Sequence, residues 1–330
     1  MPLIQHLGTA ISGGGKTTLT YSGTTLSGYD GVVSNGYKIW VWSYGNNTSG
    51  NMTGNIILDN DALESDLLIC SAGGGCFGTS GGAGAEPGAG GGTILYFQNQ
   101  TIPAGTHAYQ VGYCPNPTGS SSASGYGSFV NIQGGSNIYA PGGGGGTQSN
   151  DMNTDLSGFC SPSIGGQGVG NNIPYGNHPS RCDQAIPWGN RGGAAWGNSS
   201  TGSSGGGGGA KGAGDPGDST RAGDSGRGLR NGDSWYTWSI AGFDKTVYTQ
   251  INNFDTFGLH RTTFCGGGAG GARGEPYGFA QDGGSTNGQS DGCPAASGGG
   301  GSGIDTSASG RQTRGGSGFI AIRIPVGNHT

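Results

Sequence analysis

The chain has 330 residues, and 80 of them are glycine, about a quarter against roughly 7 % in an average protein. Charged residues make up only 10 %, and 14 Lys+Arg against 19 Asp+Glu leave a net charge of −5. That balance excludes a nucleic-acid binder driven by basic charge. The scarcity of aliphatic residues excludes a helical enzyme with a large apolar core, and clustered glycines with only 14 prolines exclude collagen.

Along the chain, residues 1–36 are Thr-, Ser- and Gly-rich with β-type stretches such as 17–21, and read as an N-terminal attachment or assembly segment. The remainder, 37–330, reads as one glycine-rich domain. Residues 37–43 hold Tyr37, Ile39, Trp40, Val41 and Trp42, the aromatic and β-branched content of a strand. A polar turn region at 46–55 follows, then short strands at 55–58 and 67–70. At Cys70 the composition changes, and 71–92 is Gly/Ala-rich. Strands are predicted at 93–97 and 107–113, joined by a turn with Pro103 and Gly105, and again at 127–132. Pure glycine runs stand at 142–146, 205–209 and 298–301, with shorter ones at 73–75, 90–92 and 266–268. Polar, aromatic-bearing inserts lie at 150–200, 210–234 and 277–297. The stretch 235–264 has enough Trp, Tyr, Phe and Ile for two or three strands, and the apolar 318–325 predicts a last one. No segment reads as a helix.

An internal echo links two places. Cys70 with Gly73–Gly75 and Cys265 with Gly266–Gly268 both close a strand and open a glycine run, and a similar Gly/Ala stretch ending in Glu-Pro follows each, at Glu86-Pro87 and Glu275-Pro276. Two equivalent strand-to-glycine transitions in one fold would produce it, as would chance in so biased a chain. The seven cysteines (70, 76, 114, 160, 182, 265, 293) are odd in number, contain no CxxC, and leave their pairing open.

Ordering a glycine costs about 0.5–1 kcal/mol more than ordering an alanine, so ordered runs require dense backbone hydrogen bonding. A glycine run can take the polyproline II conformation, three residues per turn, with no hydrogen bonds inside the helix. Packed side by side, such helices pair N–H with C=O between neighbours, and only glycine lets the backbones come close enough. The expected fold is therefore all-β and irregular: an antiparallel β-base or sandwich carrying a bundle of polyglycine helices, with long surface loops and essentially no α-helix. Gly144 and Gly207, each in the middle of a five-residue run, should tolerate no Cβ.

The order of strands and glycine runs resembles a known family. It passes from Asp66, Cys70 and Gly73–Gly75 through Gly90–Thr93 and 102–112, then 127–130 and 142–146, to Gly315–Pro325. In this it resembles the glycine-rich domain proteins of phages and large DNA viruses, with the polyglycine-bundle idea shared by tail-fibre tip adhesins of T-even-like phages. The resemblance implies a non-enzymatic structural protein on a virion surface, fibre or tail tip, whose loops contact the host. It implies other virion or filament subunits and self-association as partners, a host glycan or protein as receptor, and no nucleic acid, membrane span, metal or cofactor. The cysteines, the Asn-rich inserts and the aromatic stretch 235–264 depart from that pattern. The alternatives are a self-assembling extracellular filament of a cell and a polyglycine ice-binding protein. A cell-made filament would need an export signal, and Met1–Leu7 shows neither a basic nor an apolar signal region. Ice binding wants a flat repetitive face, against which the long irregular inserts speak.

Candidate site residues concentrate in one insert. Tyr175, His178, Arg181, Trp188, Asn190, Arg191 and Trp196 combine aromatic faces with planar donors, a mixture suited to sugar or protein surfaces. The competing expectation is that these rings cap the bundle. Sequons stand at Asn46, Asn47, Asn51, Asn99, Asn198 and Asn328, close to what 22 asparagines give by chance. Three catalytic or metal motifs are weak. Residues 10–17, with Lys16 and Thr17, fit a relaxed phosphate loop with Asp59 as acidic partner, but β-type residues follow where a helix is needed. Gly223-Asp224-Ser225-Gly226 resembles a serine-nucleophile loop, but the five histidines (6, 107, 178, 260, 329) lie in unrelated settings. Residues 300–305 resemble a single calcium nonapeptide without its tandem copies. Asp215, Asp218, Asp224 and Asp233 read as a solvated polar loop, with a cation cluster as the sharper alternative.

Overall fold

A computed structural model describes residues 15–43, 50–77, 88–115, 124–132, 137–146, 192–193, 203–209, 212–219, 221–230, 234–236, 248–250, 263–268, 298–301 and 312–330. Its strands in chain order are β1 Leu19–Tyr21, β2 Thr25–Ser34, β3 Tyr37–Trp42, β4 Met52–Leu58, β5 Ala62–Cys70, β6 Cys76–Phe77, β7 Ile94–Ile102 and β8 Gly105–Val111. They continue as β9 Ser128–Asn131, β10 Asn137–Ala140, β11 Leu229–Arg230, β12 Ser234–Tyr236, β13 Tyr248–Gln250, β14 Thr263–Phe264, β15 Gln312–Thr313 and β16 Phe319–Pro325. A single 3-10 turn, Val326–Asn328, follows, and there is no α-helix among the described residues.

The fold is all-β. Two five-stranded antiparallel sheets carry it, one ordered β1-β4-β8-β9-β10 and the other β2-β3-β16-β5-β7. Neither closes on itself. Among the described residues, three two-stranded ribbons, β11-β14, β12-β13 and β15-β6, and an isolated bridge between Thr17 and His329 add to the pairing. The expected strands at 37–43, 67–70, 93–97, 107–113 and 318–325 are all present. β1 and β2 come from the segment set apart as 1–36; they pair with β4 and β3, so its described part belongs to both sheets.

The sheets share one core. Trp40, Trp42, Leu67, Ile69, Leu95, Phe97, Ile320 and Ile322 from one meet Met52, Ile56, Leu58, Tyr109, Val111, Val130 and Ile138 from the other. Trp42 sits between the layers, 5.5 Å from the Tyr109 ring and 5.7 Å from Tyr21 in an edge-on pair. In β4 the pattern alternates, with Met52, Ile56 and Leu58 buried and Thr53, Asn55 and Ile57 outward. The β16 strand is buried on both faces, which is why it reads as a continuous apolar run.

One charged pair interrupts that second face. Arg323 donates from Nε and Nη2 to Asp66 Oδ2 at 2.5 Å, and from Nη2 to Tyr96 Oη at 3.2 Å. Tyr96 in turn donates to Asp66, whose other oxygen accepts the Asn99 N–H at 2.7 Å. Asn99 and Glu64 both have left-handed φ (52°), where the register between β5 and β7 shifts. Burial and the Asp66 charge push the Tyr96 hydroxyl well above its usual range.

Candidate functional site

Glycine runs leave the sandwich at its strand ends. The 71–75 run continues β5, 142–146 follows β10, 88–92 leads into β7 and 313–318 leads into β16. Their hydrogen bonds show how they pack. Along 88–92, Gly88 and Gly91 donate to Gly205 and Gly208 of one neighbour, Ala89 and Gly92 to Gly301 and Gly298 of a second, and Gly90 to Gly144 of a third. The donor direction thus repeats every three residues, the period of a polyproline II helix. The same period governs 71–74. Ser71 and Gly74 donate to Thr93 and Gly90, Ala72 to Tyr126 and Gly73 to Gly316. Ala89 O accepts from Gly268 and Gly90 O from Gly74, so the 88–92 helix is linked to five neighbours.

Close approach explains the glycines. A Cβ built on Gly207 would collide with the Ala89 carbonyl, and one on Gly74 with the carbonyl of Gly144. These obstacles are backbone atoms, which cannot turn aside as a side chain can. Runs that look structureless as sequence thus pack backbone directly on backbone.

The polarity of each run identifies a far end. Residues 71, 92, 142 and 318 adjoin the sheets, so Cys76, Gly88, Gly146 and Thr313 lie away from them. Gly301 bonds Ala89 and Gly74, and Gly205 accepts from Gly88, which places Gly301 and Ser203 at the far end too. The described residues that flank 78–87, 116–123, 302–311 and the long stretch between Gly146 and Ser203 therefore gather at this end, with Gly145 N–H donating to Ser124 Oγ at 3.5 Å. Within that long stretch, Gly193 rejoins the bundle through its N–H to Gly206 O at 2.7 Å. The turn 218–221 closes there as well, with Asp218 N–H donating to Arg221 O at 3.0 Å.

The candidate residues Tyr175, His178, Arg181, Trp188, Asn190, Arg191 and Trp196 all lie outside the described residues; their flanks, Gly146 and Ser203, stand at the far end. An aromatic pair that the sequence reading missed is described. Tyr113 and Tyr126 stack at 5.1 Å with planes 11° apart, bracketing the 116–123 segment, and Tyr126 is 47 % exposed. Two tyrosines flanking a Ser-rich insert were the available signal.

Of the weaker motifs, the residues that are described make structural contacts, while 10–14 lie outside them. Lys16 and Thr17 lead into β1 rather than a helix, and Asp59 accepts the Thr18 N–H at 2.6 Å and the Thr17 hydroxyl at 3.3 Å. Those bonds hold the Asp59 carboxyl below its usual range. Ser225 is buried inside a bundle run whose neighbours Gly223 and Gly226 donate to Ser204 and Gly207. Asp224 pairs with Arg221 at 3.2 Å, and Asp218 accepts the Arg221 N–H, so these carboxylates serve a turn. No group of three or more metal-ligating side chains occurs among the described residues; Asp233 and 302–305 lie outside them. Among the sequons, Asn99 is exposed, Asn51 is half-buried and Asn328 commits Nδ2 to Leu63 O at 3.2 Å. Asn46, Asn47 and Asn198 are outside the described residues.

No family model matches the chain, and a search of curated proteins finds no match. Among the described residues no helix is long and apolar enough to cross a membrane.

Proposed function

We propose that the protein is a non-enzymatic structural subunit of a virion surface, fibre or tail tip, and that the loops at the far end of its glycine bundle meet the host or a neighbouring subunit. The observation that carries this reading is the gathering of the flanks of four segments at one end of a backbone-bonded bundle. Loops on a rigid scaffold are where binding concentrates, because the scaffold bears the ordering cost in advance. The insert with Trp188 and Trp196 supplies the residue types that most often anchor interfaces.

The test has two parts. Antibody against the purified chain should label particle surfaces or fibre tips in electron micrographs of a lysate of the source culture, and should block attachment. Labelling of long cell-anchored filaments would replace this reading with the filament one. The Trp188→Ala/Trp196→Ala double variant, checked for folding by circular dichroism, should lose about tenfold or more in affinity for host surfaces or for its own assembly. Unchanged attachment and assembly would mean that the rings only cap the bundle.

A further inference from the structure

The two cysteines of the internal echo meet in space. Cys70 ends β5 and Cys265 follows β14, 195 positions later, yet their sulfurs lie 3.4 Å apart. Both residues are fully buried. Gly298, at φ +60°, lies over the pair, and a Cβ there would stand 2.8 Å from each sulfur. Cys70 also faces the Ser71 carbonyl at 3.5 Å, as Cys76 faces Gly301 O at 3.6 Å and Cys114 faces Pro115 O at 3.4 Å; among these contacts the one between two sulfurs is Cys70 with Cys265.

We propose that Cys70 and Cys265 are a modification site that closes to a disulfide, stapling β5 of the sandwich to the 265–268 helix of the bundle. Closure needs the sulfurs to approach from 3.4 Å to about 2.05 Å, a local movement. The oxidant is a small-molecule or protein disulfide. The thiolate of one cysteine attacks it, forming a mixed disulfide and releasing one thiol. The second cysteine's thiolate then attacks the cysteine sulfur of that mixed disulfide, the Sγ–Sγ bond forms, and the second thiol leaves. The two electrons reduce the oxidant, and the two protons from the cysteines end on the released thiols.

Burial sets the timing. In the folded chain both sulfurs are sealed from solvent, and burial beside Cys265 holds the Cys70 thiol well above the usual range. Exchange therefore belongs to folding, before the bundle closes over the pair. Once formed, the bond is shielded from reductants by the same packing.

The chain is unfolded, then refolded with mixed oxidised and reduced glutathione or with excess reductant, and each product is denatured, alkylated and digested. The expected result is a peptide pair linked through Cys70 and Cys265 in the oxidative sample, and a melting temperature several degrees above that of the reduced sample. Cys70→Ser and Cys265→Ser should each abolish that difference. Already folded, reduced protein placed in the same glutathione mixture should acquire the link far more slowly than refolding protein. Finding both cysteines alkylated after oxidative refolding, or linked to other cysteines, overturns the site. Equal melting temperatures overturn the staple, and equally fast linkage of folded protein overturns the timing. The peptide map needs no variant, so a serine variant that fails to fold leaves the test intact.

Discussion

Around Trp42 the protein is held together by side chains. Two sheets press aromatic and aliphatic groups into one core, and each large side chain removed from water contributes about 1.5–3 kcal/mol. Around Ala89 it is held together by backbone. Five neighbouring runs exchange hydrogen bonds with 88–92, and the packed surface is peptide against peptide. The two regions consequently fail in opposite ways. A core of side chains suffers when atoms are removed, whereas a bundle of backbones suffers when atoms are added. The sandwich can absorb a lost methyl by partial collapse, but where backbone packs on backbone, as at Gly207 and Ala89, no side chain is there to move aside.

The largest effect expected from that contrast is on Gly207. Gly207→Val should leave no folded bundle, read as loss of soluble, protease-resistant protein, because its new carbons would displace the Ala89 carbonyl. Ile69→Val, which removes one carbon from the sandwich, should cost only about 0.5–1.5 kcal/mol in urea unfolding. A thermostable Gly207→Val protein would break the comparison.

Next is a place where the sandwich behaves in a third way. Arg323→Met should cost about 3–5 kcal/mol by the same measurement, because it leaves Asp66 buried without its cation. The double variant Arg323→Met/Asp66→Leu should recover much of that loss.

A smaller effect concerns the sandwich alone. His329 Nε2 accepts the Leu19 N–H at 3.3 Å, and the ring lies 5.0 Å from Trp40. Burial lowers its pKa, the neighbouring Lys38 adds to the lowering, and the Thr330 carbonyl and Asp59 oppose it. Burial lowers His107 as well, against the carbonyl of Pro103. The folded state thus favours neutral rings, while the unfolded chain takes up protons below about pH 6.5. Their contribution is complete above that value and declines as pH falls towards the lowered folded values. The slope should not exceed about 1.4 kcal/mol per pH unit for each ring. Urea midpoints at pH 7.5 and pH 5 should show this fall, and His329→Gln should flatten it. The bundle runs contribute no histidine among the described residues, so its hydrogen exchange should be the less pH-sensitive once intrinsic exchange rates are divided out.

The smallest effect is at the surface. Val33 on β2 is 63 % exposed, and Val33→Lys should change stability by no more than about 0.5 kcal/mol, checked by the melting temperature.

The residues by themselves determined the class and most of the strands. Runs such as 39–42 and 319–324 are buried on both faces, so their apolar content is dense enough to stand out against glycine. The same reasoning reached the polyglycine helices, because a chain with so few side chains must satisfy its backbone directly. Strands that were short or broken by glycine stayed hidden. β2, with Gly28 and Gly31 at positive φ, and β10, of four residues, are strands because β3 and β9 pair with them. Which run bonds which was also beyond sequence, since one glycine run is chemically identical to another. The placement of β16 between β3 and β5, the far end shared by the flanks of four segments, and the meeting of Cys70 with Cys265 all follow from that long-range pairing. Composition and period act over a few residues and are written locally. Register between backbones is decided only when the whole bundle closes, because each run finds its partners among segments distant in the chain.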